Sequence, residues 1–462
     1  MAFMLAAHPL NTLRVLRLSL ALATVLFAGC AGSASEPVAS NPVSTPAGNK
    51  PAPTREVLPN GVVLITQEHR AADVVALQLW VRVGGRDELP DELGLSHYLE
   101  HMLFKGTPTR PVGSIDRLIE GLGGTSNAFT SYDYTHFDVV LPAPQMRAGI
   151  ELLTDISMNA SLDAAELESE KKVVYEEMNL TQDDPDRFMI RRLSEVAYRP
   201  HPYGRPILGT RELIEALTRE RLAAYYHKRY VPSNMVLIVV GPVTRAEVRP
   251  VVDATFGKLR GAPIARQKLP PVPALGPTHR DDVPRSEQQA YLGLAWDAPG
   301  TGNLDIYAVD LLTYILGDGP SSRLNQTVRE QDRLVDSIEA SYVPRQLGGL
   351  VSVTARTDPG KLEAAQRSIL GVLRRVRAEG VTEEERQRAL VTAESSYAFD
   401  IETAEGLARS YGQAETTWTL DNEVRYLDQL RTITAAQIQA AAQKYFTDEN
   451  YARVQFLPRG SR

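Results

Sequence analysis

Two histidines four positions apart, with a glutamate beside the second, are the residues of this chain best suited to chemistry. His97, Glu100 and His101 lie in the stretch GLSHYLEHMLFKGT. On a helix, residues four apart project from one face, and two neutral imidazoles at that spacing can bind one Zn²⁺. Only eight of the 462 residues are histidines. We therefore interpret the pattern as a zinc site rather than as two surface histidines that happen to flank a glutamate.

A catalytic zinc site usually has three protein ligands and a water, so two histidines leave this one incomplete. No third histidine follows at a ligand spacing, and the best source of a ligand is the acidic stretch LESEKKVVYEEMNL at 167–180. Glu170 and Glu177 are seven positions apart and share a helix face, whereas Glu176 points elsewhere. Taken alone, such a stretch is usually a solvated, lysine-flanked helix face.

The composition excludes some classes of protein before any fold is considered. Of the residues, 43% are hydrophobic and 23% are charged, and the net charge is −7, as in ordinary globular proteins. A mildly acidic chain without a basic run interleaved with aromatic residues is not expected to have nucleic acid as its main partner. The length of 462 residues leaves room for two or three domains.

The N-terminus carries the pattern of a secretory signal peptide. Arg14 and Arg17 precede an apolar run, LSLALATVLFAG at 18–29, that ends in small residues. A positively charged segment, a short apolar segment and small residues before the cleavage point define such a signal. We therefore expect residues 1–29 to be removed when the chain is exported across the inner membrane.

Cys30 follows this segment directly and is the only cysteine in the chain, so it cannot form an internal disulfide. The sequence FAGC at 27–30 resembles a bacterial lipobox, although Phe27 stands where leucine is usual. The resemblance implies a lipidated Cys30; the alternative is a cysteine discarded with the signal. Ala31 then indicates the outer membrane, if the host is Gram-negative. We predict a periplasmic protein, tethered by the Ser-, Pro- and Gly-rich residues 30–53.

The two halves of the chain repeat one plan. In the first half, Thr218 starts a predicted helix, and Asn234 and an apolar strand follow. Near the C-terminus, Thr434, Asn450 and another apolar strand come in the same order, at a constant offset of 216 residues. A repeat of that length implies two copies of one α+β unit rather than a short-period solenoid.

A proline-rich stretch marks the boundary between the copies. Residues 262–284 carry many prolines and no periodic apolar pattern, which is typical of an extended linker. We predict a first domain at 54–261 and a second at 285–462. Strand-like alternation followed by helical segments predicts an α+β fold: two homologous α/β-sandwich lobes, each an antiparallel-rich sheet with helices packed on it, forming a clamshell around a cleft.

Four stretches of the first half resemble the pitrilysin/insulinase family of zinc metallopeptidases, which includes the mitochondrial processing peptidase and bacterial relatives. They lie within residues 57–242 and read GGRDELPDELGLSHYLEHMLFKGT, IEGLGGTSNAFTSYDYTHF, LESEKKVVYEEMNL and HPYGRPILGT. The order H-x-x-E-H reverses the commoner H-E-x-x-H and is an inverzincin signature. The second half resembles the family's inactive repeat through SSRL and its last helix and strand.

The resemblance implies a role for each residue of the site. Between His101 and Glu177 lie 75 residues, the spacing at which the family carries its third zinc ligand. One Zn²⁺ per chain would be bound by His97, His101 and Glu177, with Glu170 in a supporting position behind them. Glu100 would act as the general base of a zinc-dependent endopeptidase for short or unfolded peptides in the cell envelope.

The resemblance also identifies a substrate-binding strand. Asn127, Ala128 and Phe129 resemble part of an edge strand on which the family binds extended peptides through main-chain hydrogen bonds. The alternative is that Asn127 merely ends a turn after Gly123 and Gly124.

In the second half, family members often carry an arginine and a tyrosine seven positions apart that reach the substrate. Arg329 fits the first position, but the second is Asp336. Some bacterial relatives divide this work between a zinc-bearing subunit and a homologous partner. We therefore predict a homologous subunit that supplies the arginine–tyrosine pair, or a homodimer, and the alternative is that Arg329 is an ordinary exposed helix residue.

Two other functions remain open. The chain could be a non-catalytic peptide-binding or structural subunit of an envelope assembly that keeps the fold without turnover. Loss of any one of His97, Glu100, His101 or Glu177 would favour this, and none is lost. A zinc hydrolase for substrates other than peptides is also compatible with the motif, although a strand that pairs with backbone suits peptides better.

Overall fold

The computed structural model describes residues 52–264 and 266–459, and the chain from Pro53 onward forms one compact unit. The predicted signal peptide at 1–29, Cys30 and almost all of the predicted tether lie outside the described residues. Within the described part of the chain, no helix is long and apolar enough to cross a membrane.

The first half of the chain builds a six-stranded sheet. Its strands are β1 (Thr54–Val57), β2 (Val63–Glu68), β3 (Val74–Val81), β4 (Thr125–Thr130), β5 (Thr135–Pro142) and β6 (Met235–Gly241). The order across the sheet is β1-β2-β6-β3-β5-β4, with β2 and β6 parallel and the other pairs antiparallel. Apolar residues, mainly valine, leucine and isoleucine, dominate β3 and β6 because both faces of these central strands are buried.

Eight helices accompany this sheet in the described part of the first half. They are α1 (Leu95–Leu103), α2 (Ser114–Gly121), α3 (Met146–Asn159), α4 (Ala164–Asp183), α5 (Pro185–Ala197), α6 (Arg211–Glu215), α7 (Arg219–Arg229) and α8 (Arg245–Ala254). One face of the sheet, including Leu79 and Phe137, packs against α1, α3, α7 and α8 in a continuous apolar core.

The second half builds a five-stranded sheet with its own helices. Its strands are β7 (His279–Arg285), β8 (Ala290–Ala298), β9 (Ser337–Arg345), β10 (Gly348–Thr357) and β11 (Ala452–Pro458). Its helices are α9 (Ile306–Gly317), α10 (Leu362–Glu379), α11 (Glu383–Asp400), α12 (Ala404–Thr417), α13 (Leu420–Val424), α14 (Tyr426–Arg431) and α15 (Ala435–Tyr445), with a π-helical stretch at Asn325–Gln331.

The second sheet repeats the topology of the first. Its order, β7-β11-β8-β10-β9, corresponds to β2-β6-β3-β5-β4, and the pair β7–β11 is parallel like β2–β6. The starts of β2 and β7, and those of β3 and β8, are both 216 residues apart. The predicted α+β class and the two homologous lobes are confirmed.

Each lobe contributes one helix that packs on the sheet of the other lobe, on the face that the sheet's own helices leave uncovered. Helix α12 of the second half packs on the first sheet, where Leu407 and Tyr411 contact Trp80 and its neighbours. A Cβ on Gly412 would lie 2.0 Å from the indole of Trp80, so the α12 backbone rests directly on that ring. In return, α5 packs on the second sheet, and a Cβ on Gly293 would lie 2.5 Å from Sδ of Met189. Each sheet is therefore covered on one face by its own lobe and on the other by the opposite lobe.

The segment that leads into the second sheet ends before His279, earlier than the predicted linker at 262–284. Strand β7 begins at His279 and pairs with β11, because its extended backbone completes the edge of the second sheet. Arg266 within the segment donates hydrogen bonds to the carboxylate of Asp87. Leu275 is buried between the lobes. The segment is thus a packed connection along the junction.

A hairpin of the second lobe fixes the turn between β4 and β5. Arg345, at the end of β9, lies 4.2 Å from the ring centre of Tyr132, 4.8 Å from that of Tyr198 and 5.0 Å from that of Tyr203. Asp133 accepts a hydrogen bond from the hydroxyl of Tyr203. A guanidinium among aromatic faces is stabilised by cation–π interaction. The turn that follows strand β4 is therefore held by the opposite lobe.

Candidate metal centre

Helix α1 presents its two histidines on one face because they lie four positions apart, and the rest of the helix is packed into the core. Leu99, Met102 and Leu103 pack into the core of the first lobe. His97 and His101 lie one turn apart, and their ring centres are 4.7 Å from each other. The structure therefore confirms the predicted helix and places both imidazoles side by side.

Helix α4 brings two glutamates to the same place. Its first turn is capped by the carboxylate of Asp163, which accepts hydrogen bonds from the amides of Ala165 and Glu166. Leu167 and Val174 pack into the core that α1 shares. Glu170 and Glu177 lie two turns apart on this helix, so both reach α1. Because they are seven residues apart, their two carboxylates lie on the same face of α4, the face that meets α1.

Three side chains converge as the ligands of a metal would. Oε2 of Glu177 lies 3.3 Å from Nε2 of His97 and 3.5 Å from Nε2 of His101. One ligand atom from each of the three residues lies within 4.8 Å of the others. Among residues 52–264 and 266–459, no second group of His, Cys, Asp or Glu side chains converges in this way.

The chemistry of this group fits a zinc ion. Oε2 of Glu177 is buried and receives no hydrogen bond of good geometry, which is costly for a carboxylate unless a cation binds it. Burial and the neighbouring His101 hold the pKa of His97 well below its usual range, so its imidazole stays in the neutral form that binds metals. Two imidazoles and one carboxylate are a common ligand set for catalytic zinc.

The environment of His101 shows how strongly the site attracts a cation. Burial acts to lower the pKa of His101, but the hydrogen bond to Glu170 and the nearby carboxylates of Glu177 and Glu100 outweigh it and raise the pKa to about 10. Three carboxylates therefore draw positive charge to this imidazole. A metal dication at Nε2 would supply that charge in place of a proton.

Glu100 lies beside the three ligand residues without joining them. Its Oε2 accepts a hydrogen bond of 2.6 Å from the hydroxyl of Thr130, at the end of β4. Burial raises the pKa of Glu100 to about 7, against the opposing effects of His101 and Thr130. A carboxylate next to the metal position and titrating near neutrality suits a general base.

Glu170 contacts the far side of His101. Its Oε2 lies 2.9 Å from Nδ1 of His101, and its Oε1 pairs with Nζ of Lys105 at 2.5 Å. Burial acts to raise the pKa of Glu170, but these hydrogen bonds outweigh it and lower the pKa. With Nδ1 facing Glu170, Nε2 of His101 is directed toward Glu177. This carboxylate–histidine contact is the arrangement that usually orients metal-binding histidines.

Asn127, Ala128 and Phe129 lie in an edge strand, β4, and Asn127 pairs with Asp138 of β5 rather than ending a turn. Within the described chain, the other edge of β4 carries no strand. The ring of Phe129 packs near Tyr134 and His136, on the sheet face that α12 covers. A contact of Phe129 with a peptide would therefore come from its backbone. The substrate-binding role of these residues stays a prediction.

Arg329 lies in the π-helical stretch of the second lobe, where its side chain is half-exposed and pairs with Glu330 at 3.9 Å. Asp336 is exposed and accepts a hydrogen bond from Gln289. Both contacts lie within the second lobe. The role of Arg329 in substrate binding stays a prediction.

Sequence reasoning missed the contacts that two residues, Thr130 and Lys105, make with the site. Thr130 follows the three strand residues that were singled out, and its alternation with Ala128 predicts a side chain on the same face as α1. Lys105 lies one turn after His101, on the side that faces Glu170. Neither residue type signals a metal site by itself.

Two histidines and a glutamate on packed helices, with a second glutamate beside them, form the kind of side-chain group that could hold a catalytic metal ion. Residues 63–211 match the family described as Insulinase (Peptidase family M16), and residues 216–391 match the Peptidase M16 inactive domain. The chain belongs to peptidase family M16, and the predicted resemblance is confirmed.

Relatives named as zinc proteases cover most of the chain. An uncharacterized zinc protease of Mycobacterium leprae is 30% identical over 395 residues, 84% of this chain and 88% of that protein. The uncharacterized zinc protease YmxG of Bacillus subtilis is 29% identical over 408 residues, 87% of this chain and 97% of that protein. The names of these relatives support zinc as the metal.

Solved structures share the fold. A protease from Helicobacter pylori superimposes with a TM-score of 0.84 at 23% identity, covering 88% of this chain and all of that one. The first half of the periplasmic protease PqqL from Escherichia coli gives a TM-score of 0.73 at 20% identity, covering 88% of this chain and 92% of that one. At these identities the likeness shows the two-lobed fold alone.

The contact between Glu170 and His101 predicts a loss of zinc affinity in Glu170→Gln. Removal of the charge that orients His101 should weaken zinc binding by roughly 10- to 100-fold. The measurement is equilibrium competition with a chromogenic chelator. Glu168→Gln is the matched control, because Glu168 is exposed on the same helix and, among the described residues, pairs with Lys171 rather than with His101. Equal zinc affinities in the two variants would contradict the orienting role.

Proposed function

We propose that this chain is a zinc-dependent endopeptidase that hydrolyses short or unfolded peptides. One zinc ion per chain would be held by Nε2 of His97, Nε2 of His101 and Oε2 of Glu177. The observation that carries the proposal is the convergence of these three atoms with the carboxylate of Glu100 beside them. Membership of a peptidase family and the names of the zinc-protease relatives support the reaction class.

Glu100 would handle the protons of the reaction. When bound, zinc supplies Lewis-acid chemistry, polarising the peptide carbonyl and making water more acidic. Glu100 would accept the proton of the attacking water and deliver it to the departing amine. The hydroxyl of Thr130 holds one oxygen of Glu100, which fixes the direction of the other. The free oxygen of the carboxylate is therefore already oriented before the substrate binds.

The edge strand explains why the substrate should be short or unfolded. A peptide that pairs with β4 must be extended and must offer free backbone amides and carbonyls, which folded proteins rarely do. Thr130 ends this strand and contacts Glu100 directly. A peptide bound along β4 would thus be aligned with the base. Binding through backbone also predicts little selectivity for side chains at those positions.

Glu100→Gln should retain zinc and lose cleavage. Glutamine keeps the size of the side chain but cannot accept a proton, so we expect the rate to fall by about 10²- to 10⁴-fold with one zinc per chain still bound. The measurements are metal content and cleavage of a quenched fluorescent peptide library. Removal of zinc by a chelator should abolish wild-type cleavage, and added zinc should restore it.

The proposed peptidase activity would be contradicted if the wild-type protein binds stoichiometric zinc but cleaves no peptide, either alone or with a homologous subunit. That outcome would favour the alternative, a non-catalytic peptide-binding or structural subunit. Cleavage by Glu100→Gln at the wild-type rate would instead move the base to another residue.

We propose further that the enzyme works in the periplasm, anchored through Cys30 to the outer membrane, and that a homologous subunit assists it. The signal pattern at 1–29 and the lone cysteine support the location. Asp336 at the position where a tyrosine is expected supports the partner, because the chain then offers only Arg329 of the pair.

A cleavage assay and fatty-acid labelling test both parts of this proposal in cells that express the full chain. Activity should occur in the membrane fraction, and a labelled fatty acid should be incorporated into the wild-type chain but not into Cys30→Ser, because that variant has no thiol to acylate. Addition of the homologous subunit should raise the activity. Activity in the cytoplasm would contradict the location, and full activity without the second subunit would contradict the partner.

A further inference from the structure

The N-terminus of α1 is capped by a side chain from outside the helix. The N-cap residue, Gly94, has no side chain and adopts a left-handed backbone with φ of 92°. The first amides of a helix need acceptors, which usually come from the N-cap side chain. Here Oε2 of Glu88 accepts a hydrogen bond of 3.0 Å from the amide of Gly94, and Oε1 accepts one of 2.7 Å from the amide of Ser96.

Glu88 is itself held firmly. Its side chain is buried, with 3% of the residue exposed. Its backbone carbonyl accepts a hydrogen bond of 2.8 Å from Arg205. A Cβ on Gly94 would lie 2.8 Å from the carbonyl oxygen of Leu208, so the turn before α1 is pressed against a second loop. The hydroxyl of Ser96 lies 2.7 Å from that of Tyr225. The first turn of α1 is therefore fixed on several sides at once.

The position of this first turn determines the position of the metal ligands. Ser96 directly precedes His97, and His101 follows one turn later, whereas Glu177 lies on the separate helix α4. A displacement of α1 would change both distances from the imidazoles to Glu177. Metal and catalytic sites tolerate errors of only about 0.5 Å in such distances.

We propose that Glu88 is a positioning residue for the zinc centre, acting through the amides of Gly94 and Ser96 to set α1 against α4. The inference rests on the proposed function. Burial raises the pKa of Glu88 to about 8, while the amides of Ser96 and Gly94 oppose this by stabilising the ionised form. Both oxygens accept hydrogen bonds together only in the ionised carboxylate, so the role depends on this form of Glu88. Glutamine offers one oxygen and would turn an NH₂ group toward an amide donor.

The test compares Glu88→Gln with two controls. Glu92→Gln removes another carboxylate of the same loop. The Glu92 carboxylate pairs with Arg229 and does not contact the amides of Gly94 or Ser96. Val353→Ala opens a cavity in the core of the second lobe, away from α1, and shows what loss of stability alone does. The measurements are the unfolding temperature, zinc affinity by chelator competition, and kcat and KM for a quenched peptide.

We expect Glu88→Gln to bind zinc roughly 10- to 100-fold more weakly than wild type, and kcat at saturating zinc to fall more than KM changes. Both controls should bind zinc within about threefold of the wild-type affinity. This should hold even if Val353→Ala lowers the unfolding temperature as much as Glu88→Gln does. Zinc affinity in Glu88→Gln equal to that of the controls would overturn the positioning role.

A second variant keeps the test decisive if Glu88→Gln fails to fold. Glu88→Asp retains both oxygens on a shorter side chain and should weaken zinc binding less than the glutamine variant. Zinc affinity equal to that of Val353→Ala at matched stability would overturn the proposal in the same way. The failure of the proposed function is seen separately, because it would appear as wild-type protein without zinc or without cleavage.

Discussion

The packing of α1 against α4 is the constraint on which the rest of the site depends. It buries two imidazoles and the carboxylate of Glu177 within a few ångströms of one another, with Glu100 and Glu170 beside them. Such a concentration of buried carboxylates is unfavourable unless a cation compensates it. The helices cannot relax apart, because the apolar face of each lies in the same core. The packing of the core therefore offsets the cost of burying these carboxylates, and a bound metal ion would reduce that cost.

The second lobe contributes to this site without carrying ligands. Helix α12 covers the outer face of the first sheet, and Arg345 holds the turn that follows β4. Strand β4 in turn meets Glu100 through Thr130. A repeat that has no H-x-x-E-H motif thus supports the motif of the other repeat. This reciprocal packing gives a physical reason for keeping both halves in one chain.

The parts of the structure that rest on local pattern could be predicted. The four-residue interval between His97 and His101 and the 216-residue repeat depend on helix and strand periodicity, and both reappear in the structure. The exchange of α5 and α12 between the lobes could not be predicted, because an amphipathic helix does not reveal which sheet it covers. The end of the linker at His279 was missed because a polar edge strand resembles a loop in sequence.

The roles of single side chains divide in the same way. The spacing of Glu170 and Glu177 predicted that they share one helix face. Only the family resemblance identified Glu177, rather than Glu170, as the zinc ligand. The contacts of Thr130 and Glu88 join distant parts of the chain to α1. No interval in a single sequence encodes such contacts, since they depend on how loops close around the helix.

The most direct test of the account is X-ray absorption at the zinc edge of the purified full chain. We predict one zinc per chain with two imidazole ligands at about 2.0 to 2.1 Å, oxygen for the remaining ligands and no sulfur. The His97→Ala protein should show the loss of one imidazole. A spectrum that this substitution leaves unchanged, or one dominated by other ligands, would contradict a zinc site built from His97, His101 and Glu177.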